Sequence, residues 1–207
     1  MRTFLHLPPE AFRRWDETPD AWFYAQPRFV THIDAGAIAA VTQLYREYFP
    51  AGGDILDVCS SWVSHLPEEV TYRHVIGIGM NAAELAANPR LTAWFVHDLN
   101  ANPVLPLADA SFDAAGLCVS IDYLTDPVAV LRDIGRVLRP GGPLVVTFSN
   151  RCFPTKAIAI WLMLNDAGRC RLVEDFFHAA GVWQDIHTLD RSPDSGDPLY
   201  AVIGRRK

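Results

Sequence analysis

An apolar run that ends in an acid and then in small residues is a place where chemistry can occur, and Asp54-Ile55-Leu56-Asp57-Val58-Cys59-Ser60-Ser61 is such a run. Its small residues let a ligand lie close to the backbone, and a helix starting just beyond would offer unpaired N–H groups. Asp98 follows a second apolar run, Ala93-Trp94-Phe95-Val96-His97, and leads into Leu99-Asn100. Ser120-Ile121-Asp122-Tyr123 follows a third, Phe112 to Val119. Carboxylates in such positions can hold a ligand's N–H donors, and one displaced from its ordinary pKa can take a proton. Asp122, Tyr123 and His97 are therefore the candidate general bases, with His32 behind them, although a lone histidine also serves as a structural residue. Gly79-Met80-Asn81 closes a fourth run, Val75 to Ile78, and the Asn81 side chain could accept from a hydroxyl or only cap a helix. Asn150-Arg151-Cys152 offers either a cation to an acidic substrate or a surface loop. Cys59, Cys118, Cys152 and Cys170 contain no C-x-x-C pair, so no metal site and no thiol redox motif is expected.

These residues need a scaffold, and the periodicities supply one. A helix is expected from Asp34 to Tyr48, with Asp34 as N-cap and Ile38, Val41, Leu44 and Tyr45 at helical spacing. Strands follow at Ile55–Val58 and Val75–Ile78, then a short helix 82–87 capped by Asn81, then strands at 93–97 and 112–119. Asp126 caps a helix to Leu138 with Pro127 at its first position, and Pro143–Ser149 is a buried strand. Helices at 155–164 and about 169–180 precede two terminal strands, 183–189 and 199–203, which the turn-rich 191–198 could pair antiparallel. Strands alternating with helices in this way imply an α/β fold with a mostly parallel sheet covered on both faces. Residues 1–32, rich in aromatics and prolines, read as a cap segment over a single domain rather than a second domain. The helix at 155–164 is apolar on nearly all sides, so it needs cover, from plain core packing, from that cap or from a second copy in a homodimer.

The 207 residues carry a net charge of −6, which leaves no excess of cations to neutralise phosphates and argues against a nucleic-acid partner. No apolar run approaches the ~20 residues that span a bilayer, and the first residues lack the apolar core of a signal peptide. A cytoplasmic protein with buried, reduced thiols is the expectation.

Two further stretches carry a resemblance. Leu105-Pro106-Leu107-Ala108-Asp109-Ala110-Ser111-Phe112-Asp113 resembles the L-P-F-x-D-x-S-F-D stretch, and Asp133-Ile134-Gly135-Arg136-Val137-Leu138-Arg139-Pro140-Gly141-Gly142 the E/D-x-x-R-V-L-K/R-P-G-G stretch, of the class I S-adenosylmethionine-dependent methyltransferases of type 11. The resemblance covers about residues 36–204. It implies a Rossmann-like fold with a seven-stranded sheet, S-adenosylmethionine as cofactor and a small-molecule acceptor. It would set Asp57 near the cofactor's amino group, Cys59, Ser60 and Ser61 along its methionine part, and Asp98 with Leu99 at the adenine. Ser120 and Ile121 would lie near the sulfonium. Two departures stand out: the family's G-x-G-x-G glycines fall on Cys59, Ser61 and Val63, and its ribose-binding acid falls on Gly79, beside Met80 and Asn81. A missing charge-assisted contact costs about 1.5–3 kcal/mol, and Trp62 is large enough to fill part of the pocket. Two readings follow: an enzyme with a narrowed site, or a non-catalytic binding or regulatory module that has lost tight cofactor binding.

Overall fold

A computed structural model describes residues 7–207; the first six residues of the cap segment lie outside it. Seven strands form one sheet: β1 (Asp54–Val58), β2 (His74–Gly79), β3 (Ala93–Val96), β4 (Ala114–Cys118), β5 (Pro143–Phe148), β6 (Trp183–Asp190) and β7 (Tyr200–Arg206). Their order is β3-β2-β1-β4-β5-β7-β6, parallel except for β7, which runs antiparallel to both β5 and β6. This is the Rossmann-like arrangement expected. The order reverses between β1 and β4, and a parallel sheet binds its ligands at the carboxyl ends beside such a reversal.

β1 and β5 are buried along their whole length, which is why they read as continuous apolar runs, whereas β3 sits at the edge and is largely open. The helices α1 (Asp20–Phe23), α2 (Ala35–Tyr48), α3 (Ala82–Ala87), α4 (Pro127–Val137), α5 (Ala159–Met163) and α6 (Asp166–Ala180) cover the sheet. Asp34, Asn81 and Asp126 cap α2, α3 and α4 through their side chains. The two stretches that carried the resemblance brace each other. Asp133 accepts from the Leu105 backbone N–H, and Arg136 reaches Asp133, Asp109 and the Leu105 and Leu107 carbonyls. Arg139 bridges Asp113 and Asp54, tying the start of β4 to the start of β1.

One expected helix is shorter than its periodicity suggested. Of 155–164 only Ala159–Met163 is helical, because the N-terminal segment takes the backbone groups of the rest. Asp16 donates to the Thr155 carbonyl, Ala159 donates to the Arg13 carbonyl, and Arg14 forms an antiparallel bridge with Ile158. The cap thus supplies cover for the buried side of this stretch, while Leu162 and Met163 stay exposed. Among the described residues no helix is long and apolar enough to cross a membrane, and no cluster of three or more His, Cys, Asp or Glu could hold a metal ion.

Candidate active site

A cavity of 420 Å³ lies at the carboxyl ends of β1, β2, β3 and β4, roofed by the N-terminal segment and the loop after β5. That volume is within the usual range for small-molecule sites, roughly 300–1,000 Å³.

At the end of β1 the Asp57 carboxylate accepts from the hydroxyls of Ser60 and Ser64, both at 2.6 Å. No cation among the described residues pairs with it, and burial pushes its pKa up to about 6 despite those two donors. The chain then turns through Cys59 at φ +56°, the left-handed conformation in which the family's glycine would be unstrained. Val119, at the end of β4, is left-handed as well, at φ +41°. Each such residue costs on the order of 1–3 kcal/mol, and both line the cavity, where strain of this kind tends to gather. The Cys59 thiol is pushed up to about 12 by burial and so stays protonated. Ser61 also lines the cavity and donates to Glu84. Trp62 does not fill the space: its indole N–H donates to the Val30 carbonyl and its ring packs on Phe29.

At the end of β2 the structure explains the absent acid. A Cβ on Gly79 would lie 2.1 Å from the Ser60 carbonyl oxygen, so no side chain fits there. Met80 lines the cavity. Asn81 is fully engaged elsewhere, since Oδ1 caps α3 and Nδ2 donates to the carbonyls of Tyr24 and Ala25. Glu84, one turn into α3, brings a carboxylate to the cavity wall. It accepts from the Arg28 backbone N–H at 2.7 Å and from Ser61 at 2.6 Å, and an ionised carboxylate has acceptor capacity beyond these two bonds.

At the end of β3, Asp98 accepts through Oδ1 from the backbone of Asn100 and Ala101, while its second oxygen has no partner among the described residues. Leu99 is buried against the same edge of the cavity. His97 bonds the Asn102 carbonyl through Nε2, so that nitrogen carries the proton.

At the end of β4 the expectations divide. Ser120 and Tyr123 line the cavity; Ile121 and Asp122 do not. These residues form a 3-10 turn, Ile121–Tyr123, in which every third residue shares a face, so Ser120 and Tyr123 point one way and the pair between them points into the core. Ile121 therefore lies in the main core cluster. Asp122 is buried behind the cavity wall, its Oδ2 without a partner, and burial pushes it up to about 7. Tyr123 accepts from the Phe153 backbone N–H, and burial holds its phenol well above the ordinary value of 10.0. Neither suits the role of base, Asp122 for want of access and Tyr123 for want of acidity.

The roof contributes residues that carried no motif in the sequence. His32 lines the cavity with its ring 5.3 Å from that of Phe153, and burial lowers its pKa below 6.5, which keeps it neutral near pH 7. His65 lies in the same wall with a pKa lowered in the same way, by burial and then by His32. Arg28 reaches in from the cap. His32 was already a candidate base, and Glu84 left a trace as the third residue after the cap Asn81, where a carboxylate is favoured in a helix's first turn.

A family model described as "Methyltransferase domain" (type 11) matches residues 58–146. A demethylmenaquinone methyltransferase from Mycobacterium sp. (strain KMS) is 47% identical over 55 residues, 25% of this chain. The match thus spans about a quarter (24%) of that relative's length. Among solved structures, the [4+2]-cyclase SpnF aligns with a TM-score of 0.62 at 17% identity, covering 90% of this chain and 91% of the cyclase. A Thermotoga maritima protein described as an S-adenosylmethionine-dependent methyltransferase, possible histamine N-methyltransferase, aligns with a TM-score of 0.60 at 16% identity, over 83% of this chain and 91% of its own. At such identities the likeness shows the fold.

Proposed function

We propose that this chain, whose fold is that of the class I S-adenosylmethionine-dependent methyltransferases, transfers a methyl group from S-adenosylmethionine to a small molecule. One observation carries the reading: the cavity collects a buried carboxylate from β1 and a half-free one from β3, two strand spacings apart, under a roof bearing a neutral histidine. Two strand spacings are about 10 Å, suited to a ligand with a cationic amine at one end and an N–H donor at the other. Asp57, which lacks a cation, would hold the ammonium of the methionine part, and Ser60 and Ser64 keep its carboxylate oriented. Asp98 would accept from the adenine amine through its unused oxygen. Glu84 takes the ribose hydroxyls in place of the acid that Gly79 excludes.

The cofactor would supply an electrophilic methyl on a sulfonium, and the transfer is an in-line displacement governed by alignment. The roof from Tyr24 to Ile33 and the loop at Asn150–Phe153 exclude water from the acceptor's side. His32, neutral and within the cavity, takes the proton of an acceptor hydroxyl or amine. Four free cysteines suit a reducing cytoplasmic setting.

Calorimetric titration with S-adenosylhomocysteine tests the reading. Binding at about micromolar Kd is expected, weakened about tenfold or more by Asp57→Ala. His32→Gln should leave that Kd unchanged while lowering methyl transfer about 100-fold, and wild-type kcat/KM should reach half its plateau below pH 6.5. No heat and no thermal shift at millimolar ligand would favour the second reading, a non-catalytic module. The lost acid at Gly79 supports that alternative.

A further inference from the structure

Arg28 is a cation without an anion. Its guanidinium lies over the rings of Phe23 at 4.6 Å and Phe153 at 5.6 Å. Among the described residues its one side-chain hydrogen bond runs from Nη2 to the Phe23 carbonyl, and Nη1 is buried with no partner. No carboxylate of the described residues pairs with it, whereas Arg151, the other arginine of the cavity wall, lies 3.8 Å from Asp197. Aromatic faces favour a nearby cation but do not satisfy its N–H groups, and a buried charged donor without an acceptor is costly. A planar fork with free N–H groups, lying against aromatic rings, is the usual receiver of a carboxylate.

We infer that Arg28 binds a carboxylate on the methyl acceptor, so that the substrate class is a small monocarboxylic acid; this rests on the methyltransferase reading above. The position supports the acceptor rather than the cofactor as the source. The rings that hold Arg28 belong to the cap and to the loop after β5, the two elements that close the acceptor side, and His32 packs on the same Phe153. Charge balance limits the ligand to one negative charge. Asp57, Asp98 and Glu84 line the same cavity, and a phosphate dianion would face them with one free guanidinium as its only counter-charge.

The test uses the intact protein saturated with S-adenosylhomocysteine and three probe pairs: benzoate and benzamide, phenylacetate and phenylacetamide, butyrate and butyramide. At least one acid should bind about tenfold or more tighter than its amide, and Arg28→Met should erase that preference while changing the S-adenosylhomocysteine Kd less than about threefold. Arg28→Gln, which can keep the bond to the Phe23 carbonyl, carries the same expectation if the methionine variant does not fold. Acids and amides binding alike, or none binding, would overturn the inference while leaving the methyltransferase reading in place. Loss of S-adenosylhomocysteine affinity in the Arg28 variants would assign the guanidinium to the cofactor's own carboxylate and also overturn it. Failure of the wild type to bind S-adenosylhomocysteine would remove both together.

Discussion

The molecule buries ionised groups in two neighbouring regions and treats them in opposite ways. In the clasp that Arg14, Asp16, Asp20 and Lys156 form beneath the cap, each charge faces an opposite one, although Arg14 Nε has no acceptor. Lys156, wholly buried, donates to the carbonyls of Asp16 and Thr18 and lies 3.2 Å from Asp20. Asp20 also takes both of its oxygens to Arg14 and accepts from Asn100. Burial alone would raise the pKa of Asp20, yet Asn100, Arg14 and Lys156 together hold it below the ordinary value. In and behind the cavity the same kinds of group are left short. Asp57 has two hydroxyls and no cation, Asp122 has a bare oxygen, and Arg28 has a bare nitrogen. A cluster of paired charges fastens a lid; groups left without a counter-charge beside a cavity are the ones a ligand can complete.

The largest effect is expected at the clasp. Lys156→Met removes the cation and leaves Asp20 with one fewer partner in a buried setting, which should lower unfolding free energy by about 3–5 kcal/mol in urea titrations. A loss under about 1 kcal/mol would mean the cluster is solvated and the contrast false. Next comes Gly79→Asp, which rebuilds the family's acid. Because its Cβ would meet the Ser60 carbonyl, stability should fall by about 1–3 kcal/mol and S-adenosylhomocysteine affinity should drop rather than rise. Tighter binding in that variant would show that the loop after β1 can yield.

Asp122→Asn sharpens the comparison from the other side. The folded pKa of Asp122 is raised to about 7 from 3.8, so the folded state binds more protons than the unfolded state between those values. Its contribution to stability is whole below pH 3.8 and is lost as pH rises through about 7. The asparagine variant has no proton to lose. Relative to wild type it should gain stability over that window, by about 1–3 kcal/mol at pH 8, with methyl transfer unchanged. A collapse of activity would return Asp122 to the site.

What the sequence made legible follows the same division between local and distant. The caps Asp34, Asn81 and Asp126 and the strand ends at Asp57 and Asp98 rest on residues a few positions apart, and each is where periodicity put it. Glu84 and Arg28 were hidden because their partners are remote; the bond from Arg28 to Glu84 spans 56 residues. The helix expected at 155–164 lost its first turn to a segment some 140 residues upstream, a competition no local pattern records. The misreading at Ile121 and Asp122 was of a different kind. The chain beyond β4 enters a turn of threefold period, which sends Ile121 and Asp122 to the core side while Ser120 and Tyr123 line the cavity.

The smallest effect tests the contrast through the backbone. In ordinary strand or helix conformations glycine is less stable than alanine by roughly 0.5–1 kcal/mol, because it surrenders more freedom on folding. Cys59 is held at φ +56°, where a Cβ costs about 1–2 kcal/mol, so that order should reverse: Cys59→Gly should be more stable than Cys59→Ala by about 1 kcal/mol. Val119, at φ +41°, should show the same reversal. Ala157, buried beside Lys156 and outside the left-handed region, should keep the usual order and lose stability when changed to glycine. Thermal denaturation of these variants would then separate a rim that stores backbone strain from a clasp that stores none. Alanine proving better than glycine at both Cys59 and Val119 would mean the rim is relaxed, and the substitution of cysteine for the family's glycine would have cost this fold nothing.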